Sequence, residues 1–490
     1  MARVAVALAL LATAAAELEI DVVNPNVVAA QYAVRGKILD RATEIQKELD
    51  AGDNDWPFDQ IVLCNIGNPQ ALGQSPPAFA RAVLSNVVLP STPRFGVSKQ
   101  VRQRADAYRA AVKGGVGAYS ASQGIALIRE EVAAFIEARD GVPAFADQIF
   151  LTDGASAGVR HLTQLLVSGP QDGVLAPAPQ YPLYSAMTTL FNGTLGSYYL
   201  DEAADWDTPI PELERAYNEL AATGATPKFL VIINPGNPTG ASLPLKSLQA
   251  IVKFVEARPG LALMADEVYQ ENVYGDAPAF VSFKKVAHDL GSKIPLVSFH
   301  SVSKGFTGEC GLRGGYFELT NISPAVKAQL VKLASVSLCS NTMGQIAVGL
   351  MVNPPTSGKE LAAYEKEKAS KLASLERRAN NVAAALDALD GVSCVRPQGA
   401  MYLFPSITLP SGAIKAAKRA KLAPDAFYSL RLLEATGLVT VPGSGFGQEN
   451  GTWHFRTTFL PPEDQIEAVT KRLAGFHSSF LAKYAPKGEL

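Results

Sequence analysis

The sequence predicts an α/β protein, with a large domain built on a mostly parallel sheet and a smaller α+β domain. Two observations carry this. Between residues 149 and 299, apolar runs of strand length alternate with helical patterns, as in a parallel sheet covered on both faces. Beyond residue 359 the apolar runs are shorter, and a long helical pattern separates them from the first set.

The elements follow in order. From Asn24 an arm runs through Val27, Tyr32 and Arg35 to Gly36, then a helix from Ile38 to Leu49 that Gly52 through Pro57 ends. Ile61–Cys64 is a short strand opening into Asn65-Ile66-Gly67-Asn68-Pro69. Gly67 suits close backbone approach to a ligand, here a substrate, and the same residues suit a plain turn equally well. An amphipathic helix covers Ile125 to Arg139. The strand Ile149–Thr152 runs into Asp153-Gly154-Ala155-Ser156 and a helix from Val159 to Val167. That order of strand, small-residue turn and helix presents N–H groups, those of Ala155 and Ser156, to a phosphate.

Val174–Pro177 leads to Pro179-Gln180-Tyr181-Pro182, where two prolines restrict the backbone around Tyr181. Phe229–Ile233 is apolar throughout, hence a central strand, and ends in the turn Asn234-Pro235-Gly236-Asn237-Pro238-Thr239-Gly240. A helix from Leu245 to Ala257 and a strand Leu261–Ala265 follow, the strand closed by Asp266-Glu267-Val268-Tyr269. Ile294–Phe299 is the next buried run. It delivers Ser301-Val302-Ser303-Lys304-Gly305, with Arg313 nine residues past the lysine. A helix from Lys359 to Leu389 then bridges to short strands at 392–395, 401–405 and 438–441, and to a helix from Ala426 to Ala435. The strand Trp453–Phe459 holds Arg456, and a helix from Asp464 to Tyr484 closes the chain. The resulting division is an arm and part of the small domain at 17–105, the large domain at 106–358, and the rest of the small domain at 359–490.

Hydrophobic residues make up 48% of the 490 and charged residues 18%, ordinary for a globular α/β enzyme. The net charge of −2, without a basic run, gives no electrostatic footing for nucleic acid or an anionic membrane surface. Residues 1–16 differ from the rest: a basic start at Arg3, an apolar stretch from Val4 to Leu11, and Ala14-Ala15-Ala16. They have the build of a secretory signal peptide, too short to span a bilayer, so no membrane span is expected after processing. The terminal Lys487-Gly488-Glu489-Leu490 approximates a retrieval signal, and the two ends together suggest the lumen of the endoplasmic reticulum, with cytoplasm or mitochondrion as the alternative. Cys64, Cys310, Cys339 and Cys394 have no metal-like spacing, so no metal site is expected, and they read as incidental thiols.

The polar residues at the strand ends make one chemical proposal together. A lysine amine can form an imine, and hydroxyls with a guanidinium can hold a phosphate beside it. Pyridoxal 5′-phosphate needs such an anchor, Lys304. It also needs an anion for its ring nitrogen, Asp266, donors for its ring oxygen, Asn237 and Tyr269, and a stacking ring, Tyr181. Ala155, Ser156, Ser301, Ser303 and Arg313 would receive the phosphate. Each has a plain alternative, as helix cap, core residue or turn former; their recurrence at successive strand ends favours the common site.

Several motifs sharpen this: Cys-Asn-Ile-Gly-Asn-Pro-Gln at 64–70, Pro-Gln-Tyr-Pro-Leu-Tyr at 179–184, Ile-Asn-Pro-Gly-Asn-Pro-Thr-Gly at 233–240, Ala-Asp-Glu-Val-Tyr-Gln-Glu-Asn-Val-Tyr at 265–274, and Val-Pro-Gly-Ser-Gly-Phe-Gly at 441–447. In these, and from about Asn24 to the last helix, the chain resembles fold-type I, class I aminotransferases dependent on pyridoxal phosphate, and alanine aminotransferases of plants and algae in particular. The resemblance implies that Lys304 is the imine lysine, that Asp266 pairs with the ring nitrogen, and that Arg456 grips the substrate carboxylate as a fork. It also implies a homodimer in which Tyr119 reaches the neighbouring subunit's cofactor phosphate. The reaction implied is transamination between amino acids and 2-oxo acids, with L-alanine and 2-oxoglutarate as the pair. Phe306 and Leu312 depart from the family pattern, which often has Tyr at the first position and Tyr or Lys at the second.

Glyoxylate as amino acceptor, a lyase on the same fold, and a catalytically silent relative compete with this reading. Retention of Lys304, Asp266 and Arg456 argues against the silent one. Arg35 is a candidate for a second substrate carboxylate, and a surface arginine is the simpler account of it.

Overall fold

The computed structural model describes residues 18–32, 36–52, 55–89 and 97–485. The signal-like segment 1–16, Arg35 and the Lys487–Leu490 tail lie outside them.

A seven-stranded sheet organises the large unit. Its strands are β1 (Ile149–Thr152), β2 (Asp172–Ala178), β3 (Thr194–Tyr199), β4 (Thr226–Ile233), β5 (Ala262–Asp266), β6 (Leu296–Ser301) and β7 (Gly315–Thr320). Across the sheet they lie in the order β1-β7-β6-β5-β4-β2-β3. Neighbours pair in parallel except for β7, which runs antiparallel to β1 and β6. Leu230 and Val231 at the centre of β4 are fully buried, as a strand covered on both faces requires. Burying each such side chain contributes roughly 1.5–3 kcal/mol. The parallel strands all present their carboxyl ends to the same edge, and the polar residues predicted for the site follow those ends.

The smaller unit forms round the 30-residue helix Gly358–Asp387, the helices Pro424–Thr436 and Ile466–Tyr484, and short strands. Strand Phe455–Thr458 sits between Tyr402–Leu403 and Val441–Pro442 and is antiparallel to both. Val62–Leu63 pairs in parallel with Leu438–Val439, tying the N-terminal segment to this unit.

The expected boundary at 105 needs correction. Phe79, Val83 and Val87 of helix Ala78–Val88, and Val101, Ala105 and Tyr108 of helix Lys99–Ala111, share a core with Ile128, Val132 and Ile346. These two helices therefore pack with the large unit, whereas Val62 and Cys64 lie in the core of the small one. The helix expected from Val159 begins at Ala155, so the small residues read as a turn form its first turn. All four cysteines are free, and among the described residues no helix is long and apolar enough to cross a membrane.

Candidate active site

A cavity of about 460 Å³ opens at the carboxyl edge of the sheet, against the smaller unit. It is lined by Gly67, Ala155, Ser156, Tyr181, Asn237, Asp266, Tyr269, Ser301, Ser303, Lys304, Arg313 and Arg456, twelve of the residues predicted from sequence. Tyr119 is 76% exposed and does not line its own chain's cavity.

One end of the cavity is lined by Ala155 and Arg313, with Gly154 directly under the guanidinium. Gly154 has φ +75°, ψ 166°, a conformation that only glycine adopts readily, and it precedes the helix Ala155–Leu166. The free N–H groups of that helix's first turn are the donors an anion needs. Arg313 lies over Gly154: a Cβ there would meet its Nη2 at 2.4 Å. The guanidinium is held by the carbonyls of Asp153, at 2.9 Å, and Cys310, at 3.2 Å. Ser301 and Ser303 stand beside it, at and just past the end of β6.

The buried end is anionic. Asp266 closes β5, and Tyr184 donates to its Oδ2 at 2.7 Å. Burial pushes the Asp266 carboxyl above its ordinary range; the Tyr184 bond, the Val268 N–H and the Lys304 charge pull it part of the way back. A positively charged ring nitrogen there would favour the ionised carboxylate further.

Lys304 Nζ donates to the Gly67 carbonyl at 3.0 Å and lies 3.4 Å from the Tyr402 hydroxyl. Gly67 has to be glycine here, since a Cβ would fall 2.1 Å from that hydroxyl and 2.9 Å from Nζ. Tyr269 donates to Tyr402 at 3.2 Å and stands 3.4 Å from the Asn237 amide nitrogen, so both predicted ring-oxygen donors face one point.

Arg456 is 1% exposed. Its Nη1 donates to Asn237 Oδ1 at 3.0 Å and its Nη2 to the Asn65 carbonyl, while Nε is buried without a partner. The guanidinium lies between the rings of Tyr402 and Phe446, 4.2 and 4.8 Å from their centroids. An unspent N–H on a buried cation is costly unless a ligand completes it, and a carboxylate is the matching shape.

Sequence reasoning missed Tyr32, Tyr184 and Tyr402. Tyr32, in the arm, meets the Tyr181 hydroxyl at 2.5 Å. Tyr184 stood in a quoted motif without a role, and Tyr402 in a predicted strand without one. Cys310, read as incidental, also lines the cavity.

The donor set fits pyridoxal 5′-phosphate. A glycine-bounded anion cradle, a buried carboxylate and a lysine amine in one cavity, with an incomplete guanidinium alongside, define an enzyme that uses this cofactor on amino acids. The sequence profile of the family described as Aminotransferase class I and II matches residues 90–473, and the chain belongs to that family. It is a pyridoxal-phosphate-dependent aminotransferase.

An alanine aminotransferase 2 from Panicum miliaceum is 50% identical over 480 residues, covering 96% of this chain and 99% of the relative. A Dictyostelium discoideum protein named probable alanine aminotransferase, mitochondrial, is 49% identical, covering 95% and 90%. Glutamate–glyoxylate aminotransferase 1 of Arabidopsis thaliana is 45% identical, covering 95% and 97%. Among solved structures, an Escherichia coli aminotransferase superposes with a TM-score of 0.73 at 25% identity, covering 93% and 98%.

Proposed function

We propose that this aminotransferase moves the amino group of L-alanine to 2-oxoglutarate, giving pyruvate and L-glutamate. The observation that carries a carboxylate-bearing substrate is Arg456, buried beside Lys304's cavity with Nε unspent. The choice of pair is supported by the 50% identity to an alanine aminotransferase over nearly the full length of both chains.

In this reading Lys304 anchors the cofactor and, once displaced by substrate, carries the proton at the α-carbon. Asp266, supported by Tyr184, faces the ring nitrogen. Asn237 and Tyr269 serve the ring oxygen, and Tyr181 lies against the ring. Ala155, Ser156, Ser301, Ser303 and Arg313 hold the phosphate, and Gly67 lines the substrate's side of the cavity with Arg456. When bound, the cofactor supplies the electron sink that makes the α-proton removable.

The test is the absorption spectrum of the protein loaded with pyridoxal 5′-phosphate, before and after L-alanine. Conversion of the cofactor to its amine form by alanine alone, reversed by 2-oxoglutarate, is the expected result. A loaded protein that alanine leaves unchanged would overturn the donor assignment, and release of ammonia would point to a lyase. Glyoxylate is the second acceptor to assay, because the Arabidopsis relative at 45% identity is named for it.

The same reading makes the enzyme a homodimer with Tyr119 serving the partner's site. Exposed Tyr119, Val336 (81%) and Leu338 (50%) support an apolar face for association. Mixing inactive Tyr119→Ala and Lys304→Ala proteins tests it: shared sites regain activity on mixing, and separate sites do not. For the compartment, the mitochondrial name of the Dictyostelium relative supports the alternative to the lumenal reading, and fractionation of native cells decides between them.

A further inference from the structure

Tyr402 touches both working parts of the site. Its hydroxyl lies 3.4 Å from Lys304 Nζ and 3.2 Å from the Tyr269 hydroxyl, and its ring centroid is 4.2 Å from Arg456 Cζ. The backbone explains how one side chain reaches both. Tyr402–Leu403 pairs antiparallel with the strand that carries Arg456, Tyr402 opposite Thr458 and Leu403 opposite Thr457. Gly67 then leaves the space that the hydroxyl fills.

Lys304 itself ends a flexible four-carbon stem and has no fixed geometry of its own. In the cavity its amine has two oxygen neighbours, the Gly67 carbonyl and the Tyr402 hydroxyl, both from outside its own loop. Burial alone would make the Tyr402 phenol a weaker acid, but the Lys304 and Arg456 charges, together with the hydrogen bonds from Tyr269 and Lys304, outweigh it and bring it below its ordinary value. The hydroxyl therefore stands as a strong partner for an amine.

We propose that Tyr402 is a positioning residue: its hydroxyl holds the free Lys304 amine for proton transfer at the substrate's α-carbon, while its ring backs the Arg456 guanidinium. One side chain thereby sets the span between the proton carrier and the carboxylate grip, the relation on which rates of oriented reactions depend most steeply. The proposal rests on the roles given above to Lys304 and Arg456.

Two variants separate the two contacts. Tyr402→Phe keeps the ring and removes the hydroxyl, so kcat is expected to fall about tenfold with KM for the amino acid nearly unchanged. Tyr402→Leu removes the ring as well, and KM is expected to rise in addition. A readout that needs no turnover is the labelling of Lys304 in the cofactor-free protein by a water-soluble acylating reagent, followed by mass spectrometry. Release from the hydroxyl should raise that rate severalfold in Tyr402→Phe. Wild-type kcat together with wild-type labelling in Tyr402→Phe would overturn the proposal, as would a rise in KM alone. If the wild-type enzyme proves inactive on every amino acid, the functional reading falls, and the labelling comparison still decides whether Tyr402 holds the lysine.

Discussion

The Tyr184 hydroxyl donates to Asp266 Oδ2 at 2.7 Å, and both groups are buried. A hydrogen bond to a buried charge contributes about 1.5–3 kcal/mol, so Tyr184→Phe makes the Asp266 carboxylate harder to form. The sign follows from the direction of the shift. Burial already raises the Asp266 carboxyl, Tyr184 lowers it, and removing Tyr184 raises it further. Cofactor affinity is therefore expected to weaken by roughly ten- to a hundredfold, and to be lost at a higher pH in the variant as pH falls. Titration with pyridoxal 5′-phosphate at several pH values checks this; superimposable curves would show that the bond does not support the carboxylate.

Gly67→Ala places a methyl group where the Tyr402 hydroxyl and Lys304 Nζ now sit, at 2.1 and 2.9 Å. Both must move, so kcat is expected to drop by on the order of a hundredfold. The loss should be local. Circular dichroism and the melting temperature should stay close to wild type, and a broad loss of folding instead would mean that the loop supports the fold.

At the other end of the cavity, Gly154→Ala forces a side chain into φ +75° and against Arg313 Nη2. Strain of this kind costs about 1–3 kcal/mol and falls on the cradle proposed for the phosphate. Weaker binding of pyridoxal 5′-phosphate is expected, with kcat recovering at saturating cofactor. A kcat that stays low at saturation would place Gly154 in the chemistry rather than in the cradle.

What could be read from the sequence was whatever stood next to a strong local pattern. Lys304, Asp266 and Asn237 each follow an apolar strand, so strand ends located them. Tyr402 opens a strand of only two residues, and its partner Lys304 is 98 positions away, a contact that no local pattern contains. Tyr184 sits beside Leu183 on a helix and looks like any core aromatic until Asp266 is seen opposite it. Helix Thr342–Val352 was invisible for a different reason. It is buried at every position but Met343, so it shows no polar face and no helical period. The domain boundary was misplaced because Ala78–Val88 precedes the large unit in sequence while its apolar face packs into that unit's core.

Arg456→Lys keeps the charge and loses the fork. The guanidinium now donates to Asn237 and the Asn65 carbonyl and leaves Nε for a ligand, a division of donors that an ammonium cannot reproduce. KM for L-alanine is expected to rise roughly ten- to a hundredfold, with cofactor binding unchanged. Steady-state kinetics beside a cofactor titration measures both. An unchanged KM would remove Arg456 from substrate binding.

The last prediction concerns stability, at the residue next to Asp266 but removed from the chemistry. Glu267 is fully buried, accepts the Phe283 N–H at 2.9 Å, and lies near Arg139, Asp140 and Glu318. Burial pushes its carboxyl up to about 8, and Arg139 only partly opposes that. The folded protein therefore holds a proton on Glu267 that the unfolded chain has released above about pH 4.5. Because the native state binds more protons, this group lowers stability progressively as pH rises from about 4.5 to about 8, and has no further effect above that. Glu267→Gln keeps the acceptor for Phe283 and removes the titration. The variant is expected to match wild type at the acid end of that window and to gain on it by several kcal/mol at the alkaline end, on the order set by the size of the shift. Urea unfolding of both proteins across the window measures the difference. Parallel stability curves would mean that Glu267 is ionised in the folded state and that Arg139 compensates its burial in full.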